Sequence, residues 1–364
     1  MVSGKDTLPE MRLAIVAITR RGTQLGHILS ENIVGPEFYV SHRYAAYAGN
    51  RYNSFDPTEL KALIASLWNQ YDGLVLIMAT GIVMRMIAPL LQSKDTDPAV
   101  VVMDDAGKFA IALLSGHLGG ANELAGHCAF ATGACAVITT ATDANDLPSF
   151  DMLAKERGWV IDDIRRVKTL NTLLLDNEAI AAFDSTGKTS PWLHGRGNVT
   201  FYETIAEAAN SGALGFLFVT NNILSEQINL EKTLILRPRN LVLGIGCNRG
   251  TPADEIDEFA TTHLKKLSLS AKSIYCVASV AAKRDEAGLI EFAEQLAVPL
   301  CFFEADELNQ VAFPSPPSEH ALVAVGATGV AEPAAILASC GGLLLLEKVK
   351  SANVTLAVAK LRED

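Results

Sequence analysis

Continuous apolar runs alternate with helix-type patterns along most of this chain, and this alternation restricts its fold more than any other feature. The runs GLVLIMA, AVVVM and LVLGIG lack polar residues, which indicates strands buried on both faces of a sheet. Segments with apolar residues at helical spacing, such as PTELKALIASLWNQ, separate the runs. The pattern predicts two Rossmann-like α/β domains with mainly parallel sheets, joined by a smaller middle domain.

The chain has 364 residues, a length that suits two or three domains. We predict an N-terminal α/β domain over 1–150, a middle α/β region or connector over 151–237 and a C-terminal α/β domain over 238–364. AVVVM and FAIALL are predicted as strands on either side of the tight turn DDAGK. AVITTATD and LVAVG are predicted as strands, and LLLLEKVKSANVTLAVAK as a closing hairpin.

Charge and composition exclude several classes of protein. The formal net charge of −11 argues against a general nucleic-acid binder, although a local basic pocket for an anionic ligand remains compatible with it. Six cysteines without CxxC spacing favour free thiols in a reducing compartment. Arg85 and Pro89 interrupt the apolar run at 73–91, which favours a strand, a turn and a helix over a membrane span. With no signal-peptide pattern, we expect a cytoplasmic protein that does not bind membranes.

Ligands of open α/β sheets bind outside the carboxyl ends of the strands, so these ends predict a site. In the first domain they read ATG (79–81), LLSGH (113–117) and TTATD (139–143). Glycine lets a ligand approach the backbone, and the start of the following helix offers N–H groups to anions. The predicted substrate-binding residues here are Thr80, Gly81, Ser115, Gly116, Gly119, Gly120, Thr140 and Asp143.

The stretch LLSGHLGGANELAGH, residues 113–127, places a histidine, an amide and a carboxylate together at the start of a helix. His117, Asn122 and Glu123 are therefore the predicted catalytic residues. Simpler interpretations stay open: His117 caps the helix, Glu123 and His127 form a solvated pair, and Asp143 is a capping residue.

Arg85 and Lys94 are predicted to face an anionic ligand, the alternative being ordinary solvated charges. The C-terminal domain repeats the pattern of loops suited to anions at strand ends. Its predicted substrate-binding residues are Gly246, Asn248, Arg249, Ser279, Lys283, Thr328 and Glu332. Each loop taken alone is also compatible with an ordinary turn. Three such loops in each of two domains favour one shared ligand in a cleft.

Several known motifs are absent from the sequence. LVLGIGCNRG has GxGxxxG spacing rather than the GxGxxG of dinucleotide-binding proteins, so its nucleotide signal is weak. HExxH, CxxC, GxSxG and Walker A patterns are missing, and we therefore predict no metal site in the protein itself.

The run ATGIVMRMIAPLLQSKDTDPAVVVMDDAGKFAIALLSGHLGGANELA, followed by TTATD, closely resembles the CbiG family of cobalamin biosynthesis. LVLGIGCNRGTPADEI, ASVAAKRDEAGLIEFA and VGATGVAEPAAIL resemble the C-terminal domain of that family. The first motif is highly specific, whereas the C-terminal one also occurs in smaller proteins of the aerobic pathway. The resemblance covers residues 11–150 and 238–364.

The resemblance implies a cobalt-precorrin 5A hydrolase of the anaerobic pathway. Such an enzyme opens the ring A δ-lactone with water and releases a two-carbon fragment as acetaldehyde, giving cobalt-precorrin 5B. The substrate is a cobalt-containing tetrapyrrole with many carboxylates, so no separate cofactor is expected. On this hypothesis His117 or Glu123 activates water, and the N–H groups of Gly119 and Gly120 hold the oxyanion with Asn122. Peripheral carboxylates would contact Arg85, Lys94, Arg249 and Lys283.

Two other classes of function remain open at this point. The first is a non-catalytic carrier of tetrapyrrole intermediates, which would use the same loops without turnover. The second is a nucleotide or sugar-phosphate enzyme on a Rossmann-like frame, which the imperfect glycine spacing disfavours. A homodimer is the expectation from base rates, and the pathway suggests transfer of the product to the next methyltransferase.

Overall fold

The structure is a computed structural model that describes residues 11–93, 96–224 and 228–362. It forms two compact units, Met1–Met152 and Leu153–Asp364. Lys94, one of the predicted anion-binding residues, lies outside the described residues. None of the described helices is both long and apolar enough to span a bilayer.

The first unit contains one seven-stranded sheet in the order β3-β2-β1-β4-β5-β6-β7. Its strands are β1 (Leu13–Ala17), β2 (Glu37–Ser41), β3 (Asn53–Phe55), β4 (Gly73–Ile77), β5 (Ala99–Met103), β6 (Phe109–Leu114) and β7 (Cys135–Val137). Its helices are α1 (Arg20–Asn32), α2 (Leu60–Trp68), α3 (Thr80–Ile87), α4 (Ala121–Thr132) and α5 (Ala141–Ala144). A further helix, α6 (Phe150–Arg157), begins in this unit and crosses its boundary.

Both faces of this sheet are covered, which explains the continuous apolar runs in the sequence. In β1, Ile15 points to a core that contains Leu29 and Leu124. The next residue, Val16, points to the opposite core with Ile64. Each strand must therefore supply apolar side chains on both faces, since successive side chains alternate between them. The predicted α/β class with mainly parallel sheets is confirmed.

The strand β6 reverses the direction of the sheet. The first five strands, β1 to β5, are parallel to one another. β5 and β6 then pair antiparallel, and β6 and β7 are parallel again. The two strands predicted on either side of DDAGK are confirmed, and they run in opposite directions. As a consequence, the carboxyl ends of β6 and β7 lie at the opposite edge of the sheet from that of β4.

The predicted strand AVITTATD is wrong in its second half. β7 ends at Val137, and Ala141–Ala144 forms the short helix α5. The side chain of Asp143 therefore extends from a helical turn rather than from a strand. Ile138, Thr139 and Thr140 are β-branched and favour a strand although they follow the last residue of β7, so the sequence does not fix where β7 ends.

The second unit contains two five-stranded sheets. One has the order β10-β9-β11-β12-β8 and consists of β8 (Val160–Ile161), β9 (Ile180–Asp184), β10 (Val199–Phe201), β11 (Gly215–Val219) and β12 (Thr233–Arg237). The other has the order β15-β14-β13-β17-β16 and consists of β13 (Leu241–Cys247), β14 (Ile274–Val280), β15 (Leu300–Phe303), β16 (Leu344–Lys350) and β17 (Val354–Lys360). The predicted closing hairpin is confirmed, because β16 and β17 pair antiparallel.

The helices of the second unit are α7 (Arg165–Leu175), α8 (Thr189–Leu193), α9 (Ile205–Ala209), α10 (Ala253–Lys266), α11 (Ala287–Gln295), α12 (Ala305–Asn309), α13 (Glu319–Val325) and α14 (Ala331–Ala338). The predicted strand LVAVG is wrong, since it lies in α13. Ser318 accepts a hydrogen bond from the N–H of Ala321 at the start of that helix, and Gly326 ends it with a φ of 74°. These caps outweigh the strand preference of a short apolar run.

Charged side chains link the two sheets of the second unit. Asp162, next to β8, accepts hydrogen bonds from Arg237 at 3.0 Å and from Lys272 at 2.6 Å. Burial raises the pKa of Asp162, but these two cations outweigh it and bring that pKa below its ordinary value. The predicted domain boundaries after residues 150 and 237 stay predictions.

Candidate active site

The loop between β6 and α4, residues 115–120, folds back tightly on itself. Ser115 has a positive φ of 56°, and its carbonyl accepts a hydrogen bond from the N–H of Ala121. A side chain at Gly119 would place its Cβ 2.7 Å from that same carbonyl oxygen. Gly120 has a φ of 88°, a conformation that other residues rarely adopt. The two glycines are therefore required by the loop itself.

Asp143 is the centre of a hydrogen-bonded cluster beside this loop. Its Oδ2 atom lies 2.8 Å from Nε2 of His117 and accepts a 3.1 Å hydrogen bond from the amide of Asn122. The hydroxyl of Thr140 donates to the same oxygen. The side chain of Asp143 is 43% exposed, so the anchored carboxylate still faces solvent.

His117 has a carboxylate on each side of its ring. Nε2 faces Asp143 and also lies 3.1 Å from the hydroxyl of Thr142. Nδ1 lies 3.6 Å from Oδ2 of Asp151, whose side chain is only 5% exposed. Both ring nitrogens of His117 therefore face oxygen atoms that can accept a hydrogen bond.

Thr142 and Asp151 contact His117, but the sequence patterns did not predict them as site residues. Asp151 lies one residue beyond the predicted domain boundary, within what we interpreted as the charged opening of the middle region. Its only sequence signal is the pattern PSFD, in which a serine and an aspartate flank the start of a helix. The segment that contains it belongs to the first compact unit.

Three groups predicted to take part in catalysis have other partners in the structure. Glu123 lies 3.9 Å from His127 on α4, as the solvated-pair interpretation expects. The N–H of Gly120 donates to the carbonyl of His117 at 3.0 Å. The amide of Asn122 donates to Thr140 and Asp143, and the N–H of Asn122 donates to Gly116. Asn122 thus holds the cluster together.

The loop at 79–81 does not join this cluster. Thr80 and Gly81 begin α3 at the carboxyl end of β4, the edge opposite to that of β6. Arg85, one turn later, donates to the carbonyl of Gly81 at 3.0 Å. The expectation that all three strand ends of the first domain share one ligand is therefore wrong, because the antiparallel β6 separates them.

The second unit brings together the residues at the ends of β13 and β14, but their charges are already paired. Arg249 contacts Asp285 at 2.9 Å, and Lys283 donates to Glu286 at 3.1 Å. Burial raises the pKa of Glu286. The N–H of Gly250 and the ammonium of Lys283 lower it by more, so the pKa lies below its ordinary value.

The remaining predicted residues of this unit have structural contacts. Ser279 donates to the carbonyl of Ile245 at 2.7 Å, and Asn248 donates to Asn353 at 3.0 Å. Thr328 donates to Asn309 at 3.0 Å. An added Cβ at Gly246 would lie 2.5 Å from the hydroxyl of Thr355.

Glu332, predicted to bind substrate, is almost completely buried at the start of α14. It accepts hydrogen bonds from the hydroxyl of Ser315 at 2.9 Å and the N–H of Lys348 at 3.0 Å. These bonds tie the segment before α13 and the strand β16 to α14. Across the residues that the structure describes, no group of three or more His, Cys, Asp or Glu side chains could hold a metal ion.

Comparison with known proteins places the chain in a family. Three family models match it: Cobalamin synthesis G N-terminal over 62–143, Cobalamin biosynthesis central region over 148–238 and Cobalamin synthesis G C-terminus over 241–359.

Curated relatives match over most of the chain. A protein from Priestia megaterium named cobalt-precorrin-5A hydrolase is 36% identical and covers 96% of this chain and 95% of its own length. A protein of the same name from Salmonella typhimurium is 34% identical and covers 79% of this chain and 82% of its own. Protein CobE from Sinorhizobium sp is 36% identical over 33% of this chain and 79% of its own. The chain belongs to the CbiG family of cobalamin biosynthesis proteins.

Proposed function

We propose that this protein is a cobalt-precorrin 5A hydrolase, which opens the ring A δ-lactone with water and releases acetaldehyde to give cobalt-precorrin 5B. The observation that carries the proposal is the 36% identity, over 96% of the chain, to a relative of that name. The cluster around Asp143 supports it, because a held carboxylate beside a histidine is an arrangement suited to moving protons.

Asp143 is the group best placed to activate water. Asn122 and Thr140 donate to its Oδ2 atom, which also lies 2.8 Å from Nε2 of His117, and no described residue forms a hydrogen bond with Oδ1. A water molecule bound at Oδ1 would transfer a proton to it while its oxygen attacks the lactone carbonyl carbon. This assigns water activation to Asp143 rather than to His117 or Glu123, the groups expected from the sequence.

His117 then acts as the proton donor. Its ring lies between two carboxylates and is 20% exposed, so it is held in place and can still reach a substrate. When the ester C–O bond breaks, His117 donates its proton to the departing oxygen. A positioned acid or base of this kind contributes about 10² to 10⁴ in rate.

The tetrahedral intermediate needs hydrogen-bond donors for its oxyanion. The N–H of Gly120 and the amide of Asn122 are used within the site, so we assign this role to the N–H of Gly119. After the lactone opens, the bond between the two-carbon fragment and the macrocycle breaks. The fragment leaves as acetaldehyde. The electron pair of the broken bond and the proton lost from the fragment's hydroxyl group remain with the macrocycle.

The substrate supplies the cobalt, and we propose no additional cofactor. Arg249 and Lys283 would bind peripheral carboxylates of the macrocycle. These carboxylates would replace Asp285 as the partner of Arg249 and Glu286 as the partner of Lys283. Lys94 keeps the same proposed role, whereas Arg85 follows the β4 end, at the opposite edge of the sheet from the cluster around Asp143, and is assigned no contact with this substrate. A cytoplasmic location, a homodimer and transfer of the product to a methyltransferase complete the proposal.

The test is anaerobic incubation of the purified protein with cobalt-precorrin 5A, followed by mass spectrometry of the corrinoid and detection of acetaldehyde. The proposal expects acetaldehyde together with a product of the opened-lactone mass. Asp143→Asn should abolish most of this turnover, and Asp105→Asn, in the exposed turn before β6, is the matched control. Tight binding of the substrate without acetaldehyde would make the protein a carrier and overturn the proposal.

A further inference from the structure

The side chain of Asp151 lies next to His117 and is shielded from solvent. It lies in the first turn of α6, with Oδ2 at 3.6 Å from Nδ1 of the histidine. The hydroxyl of Ser149 donates to its Oδ1 atom.

The two carboxylates around His117 differ in accessibility. Asp143 is 43% exposed and faces the space where a substrate can bind, whereas Asp151 is 5% exposed. A side chain as buried as Asp151 cannot touch a macrocyclic substrate. Asp151 can instead act on the reaction through the imidazole ring of His117.

We propose that Asp151 is a positioning residue of this site, which binds the Nδ1–H group of His117 and so directs Nε2 towards Asp143 and the substrate. This inference rests on the proposed function of the site. The separation of 3.6 Å exceeds an ordinary hydrogen bond. It shortens when the substrate binds, since catalytic hydrogen bonds are often long in a free enzyme.

The proposal also gives a role to the start of the central region. The N-terminal family model ends at residue 143, and the central model begins at 148. Asp151 falls in the latter, while its imidazole partner falls in the former. Phe150, completely buried beside it, fixes the start of α6 and hence the direction of the carboxylate.

Substitution of Asp151 by asparagine tests this role, because asparagine keeps the size of the side chain and removes its charge. We expect kcat to fall by about 10² to 10⁴, as when a histidine loses the carboxylate that sets its tautomer, and KM to change little. Asp151→Glu should restore part of kcat, since it returns a carboxylate. Asp105→Asn should leave both parameters unchanged.

The ring nitrogens of His117 provide a readout independent of turnover. The chain has seven histidines, so ¹⁵N-histidine spectra are simple, and a His117→Gln sample assigns the relevant signals. We expect Asp151→Asn to shift the Nδ1 and Nε2 signals of His117 and leave the other histidines unchanged. Unchanged signals, or a loss of activity that appears only in KM, would overturn the proposal.

The experiments distinguish a failure of the hydrolase assignment from a failure of the positioning role of Asp151. If the wild-type protein binds cobalt-precorrin 5A without releasing acetaldehyde, the hydrolase assignment fails, while the nitrogen shifts still test the contact between Asp151 and His117. If Asp151→Asn does not fold, Ser149→Ala retains the carboxylate and removes a donor to it. That variant must also perturb the His117 signals, or the positioning role is wrong.

Discussion

The hydroxyl of Ser115 donates a 3.0 Å hydrogen bond to the backbone carbonyl of Asp97, which lies just before β5. Ser115 follows the last residue of β6, so this bond joins the end of one strand to the beginning of its antiparallel neighbour. It fixes the loop that contains His117 at the edge of the sheet where β5 starts. Asp143 and Asp151 approach the histidine at this same edge.

Asp143→Asn should retain the fold and lose most of the activity. Asparagine can still accept the hydrogen bonds of Asn122 and Thr140, but it cannot take a proton from water. We expect kcat with cobalt-precorrin 5A to fall by about 10² to 10⁴, measured by acetaldehyde release. A variant with wild-type kcat would show that another group activates the water.

Gly119→Ala should destabilise the protein. The new Cβ would lie 2.4 Å from Cβ and 2.7 Å from the carbonyl oxygen of Ser115, so the loop must shift. We expect a loss of about 1–3 kcal/mol in the free energy of unfolding, measured with urea. Gly126→Ala is the matched control on α4, since nothing lies within 4 Å of its added Cβ. Alanine should stabilise that helix by about 1 kcal/mol. Equal effects of the two variants would contradict the close packing at Gly119.

Glu332→Ala should destabilise the second unit, because the N–H of Lys348 and the hydroxyl of Ser315 both lose their acceptor. We expect about 1–3 kcal/mol in urea unfolding. Glu332→Gln should lose less, since its amide oxygen can accept both bonds. If the glutamine variant loses as much stability as the alanine variant, the hydrogen bonds to this side-chain oxygen do not account for the loss.

The contacts of Asp162 make the stability of the second unit depend on pH. The pKa of Asp162 is lower in the folded protein than its ordinary value, because Lys272 and Arg237 outweigh the effect of burial. Its contribution is therefore complete above an unfolded pKa of about 3.9 and is lost as the pH falls through the lower, folded value. In urea titrations from pH 6 down to pH 3, Asp162→Asn should be less stable at pH 6 and show a smaller loss on acidification. A parallel loss in both proteins would rule out this contribution.

Much of the fold was predictable because burial leaves a simple signal. Strands such as β4 and β5 are covered on both faces, and their sequences GLVLI and AVVVM contain nothing but apolar residues and one glycine. The turn DDAGK likewise indicated where β5 ends and β6 begins. The apolar run LVAVG carried no comparable information, because a short run fits a strand and a helix equally well.

The site was predictable only in part. The loop around His117 stands out because glycines, an imidazole and an amide rarely follow a buried strand together. The contact with Asp151 spans 34 positions of sequence and depends on how α6 packs, which no local pattern reveals. The grouping of Thr80 with this loop was wrong for a similar reason, since the carboxyl ends of β4 and β6 point in opposite directions.

The reversal at β6 also divides the sheet into two regions that can diverge independently. Substitutions at the carboxyl ends of β1, β2, β4 and β5 change one rim of the sheet and leave the rim that contains His117 intact. A lineage could thus acquire a new binding specificity at the first rim while the hydrogen-bonded cluster around His117 at the second is preserved.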